Sequence, residues 1–137
     1  MVVLETTPTA PVVNVVLVDT STARLEMLRF LLESPGVAAT VVGTARDAAT
    51  AVEAVGTNNP DVVMLEIQLP VEVGLEVLAA LRQAYPKLAI IVCSFRSDAE
   101  TRSRAIAAGA DSYLVKPVAS TDLRGALLGT LSLAASP

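Results

Sequence analysis

The sequence predicts an α/β fold built on a doubly wound, five-stranded parallel sheet, and three observations carry that expectation. From Val12 onward, short β-branched runs alternate five times with stretches of helical periodicity. Runs such as Val15-Val16-Leu17-Val18 and Ile90-Ile91-Val92 are apolar throughout, as strands covered by helices on both faces must be. With 137 residues, 53% of them apolar, the chain can build the full-sized core of one domain and leaves no room for a second.

The elements follow in order. A first strand is expected near 13–18, then a helix with Leu25, Leu28, Leu31 and Leu32 on one face, Ser21 or Thr22 as N-cap and Pro35-Gly36 as its stop. A second strand near 38–42 leads to a helix carrying Ala48, Ala51, Val52 and Val55, expected to end at Gly56. The third strand, near 61–66, runs apolar to the acid Glu66 and is soon followed by the turn-maker Pro70. The next helix is expected to open after Gly74, turn Leu75, Leu78 and Leu81 inward, and stop before Pro86. A fourth strand near 89–93 precedes a helix from Ala99 to Ala108 that closes at Gly109. A fifth strand near 112–115 precedes a helix from about Thr121 to Leu133, striped by Leu123, Leu127 and Leu131. Residues 1–11 read as a disordered lead, 12–134 as the domain and 135–137 as a tail.

Composition excludes several functions. There is no histidine, so a Ser-His-Asp triad, a histidine metal site and a phosphohistidine relay within the chain are ruled out. Aromatics are two Tyr and two Phe with no Trp, too few for a base-stacking surface, so direct nucleic-acid binding is not expected. Cys93 is the only cysteine and lies in an apolar run, which excludes a disulfide framework and reads as a buried thiol in a reduced compartment. No basic flank and apolar run make a signal peptide, and no apolar stretch approaches the ~20 residues needed to cross a bilayer. The expected setting is cytoplasmic, off the membrane. Net charge is −4, but residues 1–76 carry ten acids and three bases while 77–137 carry four and seven. Such asymmetry predicts one acidic end and one mildly basic face.

Four polar residues, Asp19, Glu66, Ser94 and Lys116, fall at or just past the ends of four different strands. In doubly wound sheets ligands bind outside those carboxyl ends, where the strand order reverses. Packing alone would not demand four polar residues there, so their convergence is the functional signal. With Val15 to Asp19, Pro60-Asp61-Val62-Val63, Leu69-Pro70, Gly74-Leu75-Glu76-Val77-Leu78, Ala108-Gly109-Ala110 and Tyr113-Leu114-Val115-Lys116-Pro117, the chain resembles a CheY-like receiver domain of response regulators over about residues 13–133. The resemblance implies a flavodoxin-like (βα)5 fold and a role in two-component signal transduction. It also implies a carboxylate that accepts a phosphoryl group, a divalent metal held by acids after the first strand, a switch hydroxyl at Ser94 with the aromatic Tyr113, and a phosphate-binding Lys116 followed by Pro117 on a cis peptide. Phosphoryl transfer uses these parts because it works by positioning and charge neutralisation.

The departures fall on that chemistry. Glu66, one methylene longer than aspartate, stands at the position the resemblance gives to the phosphoacceptor, and the acidic pair is reduced to Asp19 with Thr20 beside it. A one-residue shift in register would make Asp19 the second acid of the pair; either way one acid is missing. Asp19, Glu66 and the Gln68 carbonyl are the candidate magnesium ligands, and with an acid lost, weak or absent binding and no resident cofactor are expected. A competing outcome is that Lys116 approaches Glu66 directly, either holding an active-like state or forming an ion-pair network in a domain used only for binding. Ser94 reads equally as a strand-end cap and Tyr113 as a half-buried aromatic.

The expected function is that of an atypical, non-enzymatic receiver acting through protein contacts. The alternative is a working phosphoacceptor with a residual magnesium site. A flavin-binding domain of the same topology is disfavoured, because no aromatic pair is placed to sandwich a ring. The resemblance implies contacts with itself or a partner on the face of helix four, strand five and helix five, which here carries Arg96, Arg102, Arg104, Lys116 and Arg124. Gly125 and Gly129 there would let another backbone come close.

Overall fold

Ten elements alternate along the chain: β1 (Val13–Val18), α1 (Thr22–Leu32), β2 (Ala39–Ala45), α2 (Ala48–Asn58), β3 (Val62–Leu65), α3 (Val71–Ala84), β4 (Ala89–Ser94), α4 (Ala99–Ala108), β5 (Ser112–Val115) and α5 (Ser120–Ala135). The computed structural model describes residues 12–68 and 70–135. The expected lead over 1–11 therefore lies outside the described residues, as do Leu69 and the last two positions of the expected tail; Ala135 itself closes α5.

All strand pairs are parallel, in the order β2-β1-β3-β4-β5. The chain leaves β1 first for β2 and then returns to place β3 on its other side, so the order reverses between β1 and β3 and opens a crevice at their carboxyl ends. Because Cβ atoms alternate across a strand, each strand feeds two cores. Val16, Val18, Val63, Leu65, Ile90 and Val92 pack beneath α2, α3 and α4. Val15, Leu17, Val62, Met64, Ile91 and Cys93 pack beneath α1 and α5. β3 and β4 are buried at every position, which is why their sequences are apolar without alternation.

The helix ends show where sequence signals misled. Ser21, the first of the two expected caps, starts α1 by accepting the Arg24 amide at 3.2 Å. α2 does not end at Gly56. It continues to Asn58 and stops at Asn59, whose φ of 45° is left-handed. Gly56 serves a close approach instead: a Cβ there would stand 2.8 Å from the Tyr85 hydroxyl, which reaches over to donate to the Val52 carbonyl. Likewise α3 opens at Val71, with Gly74 buried inside its first turns. A Cβ on Gly74 would lie 2.8 Å from Ile67 Cγ1, so the glycine seats α3 against the segment that follows β3. Both glycines looked like helix boundaries and are contact points between elements.

Candidate functional site

Backbone bonds that extend the sheet hold the site residues. The Asp19 amide donates to the Ala45 carbonyl at 3.1 Å, the Glu66 amide to Val18 at 3.0 Å and the Lys116 amide to Ser94 at 2.8 Å, so each side chain leaves from the last rung of its ladder. Asp19 and Glu66 lie on either side of the crevice between β1 and β3. They line a cavity of about 230 Å³ together with Thr20, Arg46, Gln68, Pro70 and Gly74.

Glu66 is buried, and its carboxylate forms an ion pair through Oε2 with Lys116 Nζ; the two side chains are 1% and 10% exposed. Glu66 Oε1 has no hydrogen-bond partner among the described residues. Burial pushes the Glu66 carboxyl above its ordinary range, an effect that Lys116 opposes and the nearby Asp19 charge reinforces. Lys116 also lies 5.3 Å from the centre of the Phe95 ring, which caps the pair with a π face. The peptide between Lys116 and Pro117 is cis.

Asp19 is saturated. Its Oδ1 accepts the Ser21 amide at 2.9 Å and Arg24 Nη2 at 2.9 Å, while its Oδ2 accepts Arg24 Nε at 2.9 Å. Thr20, expected beside it in the acidic pocket, is exposed, and its carbonyl accepts two bonds from Arg46 at 2.7 and 3.1 Å. Arg24 and Arg46 were not anticipated as members of the site. Arg24 could have been found from its spacing: helical side chains lean toward the N-terminus, so a residue in the first turn of α1 hangs back over Asp19.

Ser94 is fully buried. Its hydroxyl donates to the Ile67 carbonyl at 2.6 Å and accepts the Arg96 amide at 3.1 Å. Tyr113 is buried more deeply than the half-buried alternative anticipated, with its hydroxyl on the Arg96 carbonyl at 2.7 Å and the Arg102 guanidinium 5.7 Å from its ring centre. Both hydroxyls thus pin the loops after β3 and β4. Cys93 is buried, and its thiol is pushed up to about 11 by that burial, as suits a core residue rather than a nucleophile.

The residues expected to hold magnesium do not fit the ion as they are arranged. Arg24 and an amide occupy both Asp19 oxygens, Lys116 occupies one Glu66 oxygen, and Thr20 is exposed and brings no carboxylate. Among the described residues no group of three or more acidic, histidine or cysteine side chains is placed to bind a metal. Of the five cations expected on the face of α4, β5 and α5, two point elsewhere. Lys116 enters the cleft, and Arg124 donates to the Val37 and Ala38 carbonyls across the α1–β2 side.

A parallel (βα)5 sheet with an acid after β1, an acid after β3, a hydroxyl after β4 and a lysine after β5 defines a class of signalling domain. The chain belongs to the response regulator receiver domain family, whose match spans residues 15–128. Among curated relatives, the transcriptional regulatory protein PrrA of Mycobacterium tuberculosis is 40% identical over 82 residues, 60% of this chain and 35% of its own length. The response regulator MprA of Mycobacterium sp. (strain KMS) is 36% identical over 111 residues, 81% of this chain and 47% of its own. The chain therefore spans about half or less of these relatives. A solved two-component response regulator of the LuxR family from Aurantimonas sp. SI85-9A1 superposes with a TM-score of 0.79 at 26% identity, covering 89% of this chain and 86% of the other. The signal receiver domain of NarL from Mycobacterium tuberculosis gives 0.77 at 28%, covering 90% and 98%.

Proposed function

We propose that this chain is a receiver domain of two-component signalling whose switch is set by an internal ion pair instead of a phosphoryl group. The observation that carries the reading is the buried pairing of Glu66 with Lys116. The lysine that the family resemblance assigns to phosphate already has an anion, and Ser94 and Tyr113 are already committed to backbone carbonyls. The domain then catalyses nothing and needs no magnesium. It works in the cytoplasm by presenting a surface.

That surface is the face of α4, β5 and α5, where Ile106, Val115 and Leu128 are exposed at 46%, 39% and 44% and Gly125 and Gly129 stand open. It would take a second copy of the chain or a partner protein, with no direct contact to nucleic acid or membrane. Among the described residues no helix is long and apolar enough to cross a membrane. The rival reading, a working phosphoacceptor, draws on Glu66 Oε1, a buried oxygen left without a hydrogen-bond partner.

Intact mass after incubation with a small phosphodonor and magnesium separates the two, with an aspartate-bearing receiver of the family as positive control. The native chain is expected to keep its mass while the control gains one phosphoryl group. A phosphoryl group on the native chain would overturn the reading. Light scattering of native chain and Glu66→Ala then tests the surface. If Glu66 sets the switch, its loss changes self-association or partner affinity, and an unchanged result removes Glu66 from the signalling path.

A further inference from the structure

We infer that Arg24 is a built-in counter-cation, occupying at Asp19 the coordination that a divalent ion would require and so closing the cleft to metal. The inference rests on the reading above that the switch works without magnesium, and it names the residue responsible.

Three observations carry it. First, Arg24 engages Asp19 by three hydrogen bonds between 2.9 and 3.2 Å, and the Ser21 amide adds a fourth, so both carboxylate oxygens already carry donors that a cation would have to displace or compete with. Second, the cleft is already neutralised. Asp19 and Glu66 face Arg24, Lys116 and Arg46, three cations against two carboxylates, so a divalent ion would enter a site with no negative charge to offset its own. Third, Arg24 stands where a helix disfavours it. It lies in the first turn of α1, which has no acid of its own, and positive charge there opposes the macrodipole. A residue placed against that field gains its place from Asp19.

Arg24 is not needed to start the helix, since its contribution to the cap is its backbone amide, which any residue but proline supplies. Its side chain has one task in the structure, the carboxylate of Asp19. Removing it would free Asp19 Oδ2, and leave Oδ1 with only the Ser21 amide, beside the partnerless Glu66 Oε1 and the Gln68 carbonyl, a donor set from which magnesium or manganese takes carboxylates while keeping several waters.

The test is manganese binding, read from loss of the free-ion signal in electron paramagnetic resonance. Native chain is compared with Arg24→Met, Arg24→Gln and Arg24→Lys, with circular dichroism to confirm folding. Arg24→Met and Arg24→Gln are expected to bind manganese about ten-fold or more tightly than the native chain, and their melting temperatures to rise on adding the ion while the native one does not. Arg24→Lys, which keeps the charge, should resemble the native chain. A purely structural Arg24 would lower stability in every variant without creating a manganese-dependent rise. Arg24→Gln keeps a donor to Asp19 and carries the test if Arg24→Met does not fold. Equal binding by native chain and neutral variants overturns the inference, and so does no binding by any of them. Manganese binding by the native chain without a mass gain from the phosphodonor removes only the role of Arg24; binding together with a mass gain removes the proposed function as well.

Discussion

Two arginine–carboxylate pairs, at opposite ends of the sheet, use the same chemistry to different ends. At the amino ends of β4 and β5, Arg82 pairs with Asp111 at 3.0 Å and spends its remaining donors on backbone: Gly109 at 2.6 Å, Leu88 at 2.7 Å, Pro86 at 3.0 Å and Tyr85 at 3.3 Å. Asp111 in turn accepts the Ile90 amide at 2.8 Å. This node ties the α3–β4 turn to the α4–β5 turn, and Gly109 is required beside it. With φ at 120° and its missing Cβ position 2.7 Å from Arg82 Cγ, no other residue fits there. At the carboxyl ends, Arg24 and Lys116 serve carboxylates, and Glu66 is left with a buried oxygen unpartnered and a raised pKa. A saturated node reads as a staple, whereas a node left partly unsatisfied in a cleft, at a cost in stability, reads as a retained site.

The contrast is sharpest in its dependence on pH. Lys116→Met leaves Glu66 buried without its cation, and a loss of about 3 kcal/mol is expected at pH 8. Glu66 already keeps its proton to a higher pH in the folded chain than its ordinary value of 4.5. Its folded-state stability is therefore greatest below that value and is lost as pH rises through the raised one. Without Lys116 the rise is larger, so the deficit of the variant should be small in acid and grow toward pH 8. Urea unfolding at several pH values checks this, and a deficit independent of pH would mean that Glu66 is not the group left unpaired.

Arg82→Ala is expected to cost somewhat less, about 2 kcal/mol, because its carbonyl acceptors are partly reachable by water. All its acceptors but Asp111 are carbonyls that do not titrate, so the loss should lack the growth toward pH 8 expected of the Lys116 variant. The same unfolding series reads both, and parallel curves would erase the distinction between staple and site.

The smallest effect lies outside both nodes. Gly125→Ala and Gly129→Ala add a Cβ into open space on α5 and should each stabilise the isolated domain by about 0.5–1 kcal/mol. If this helix face meets another backbone, the same variants weaken self-association in light scattering despite their higher stability. Stabilisation with unchanged association would place the contact elsewhere.

Much of this is legible in the sequence. Alternation of apolar runs and leucine stripes determined the element order, since helices and strands differ in period and a parallel sheet needs both faces covered. The helix from Ala99 to Ala108 matched because Asp98 caps its start and Gly109 ends it by local chemistry alone. Placement of Asp19, Glu66, Ser94 and Lys116 at strand ends was also local, a matter of where each apolar run stops. What only the tertiary structure decided was who meets whom. Gly56 and Gly74 looked like breaks because their reason, contact with Tyr85 and Ile67, lies in other elements. The turn of Arg124 toward Val37 and the closing of Arg24 over Asp19 were settled in the same way. A sequence states which charges a chain carries, but the pairing of those charges depends on distances and burial that exist only once the sheet has brought five loops to one edge.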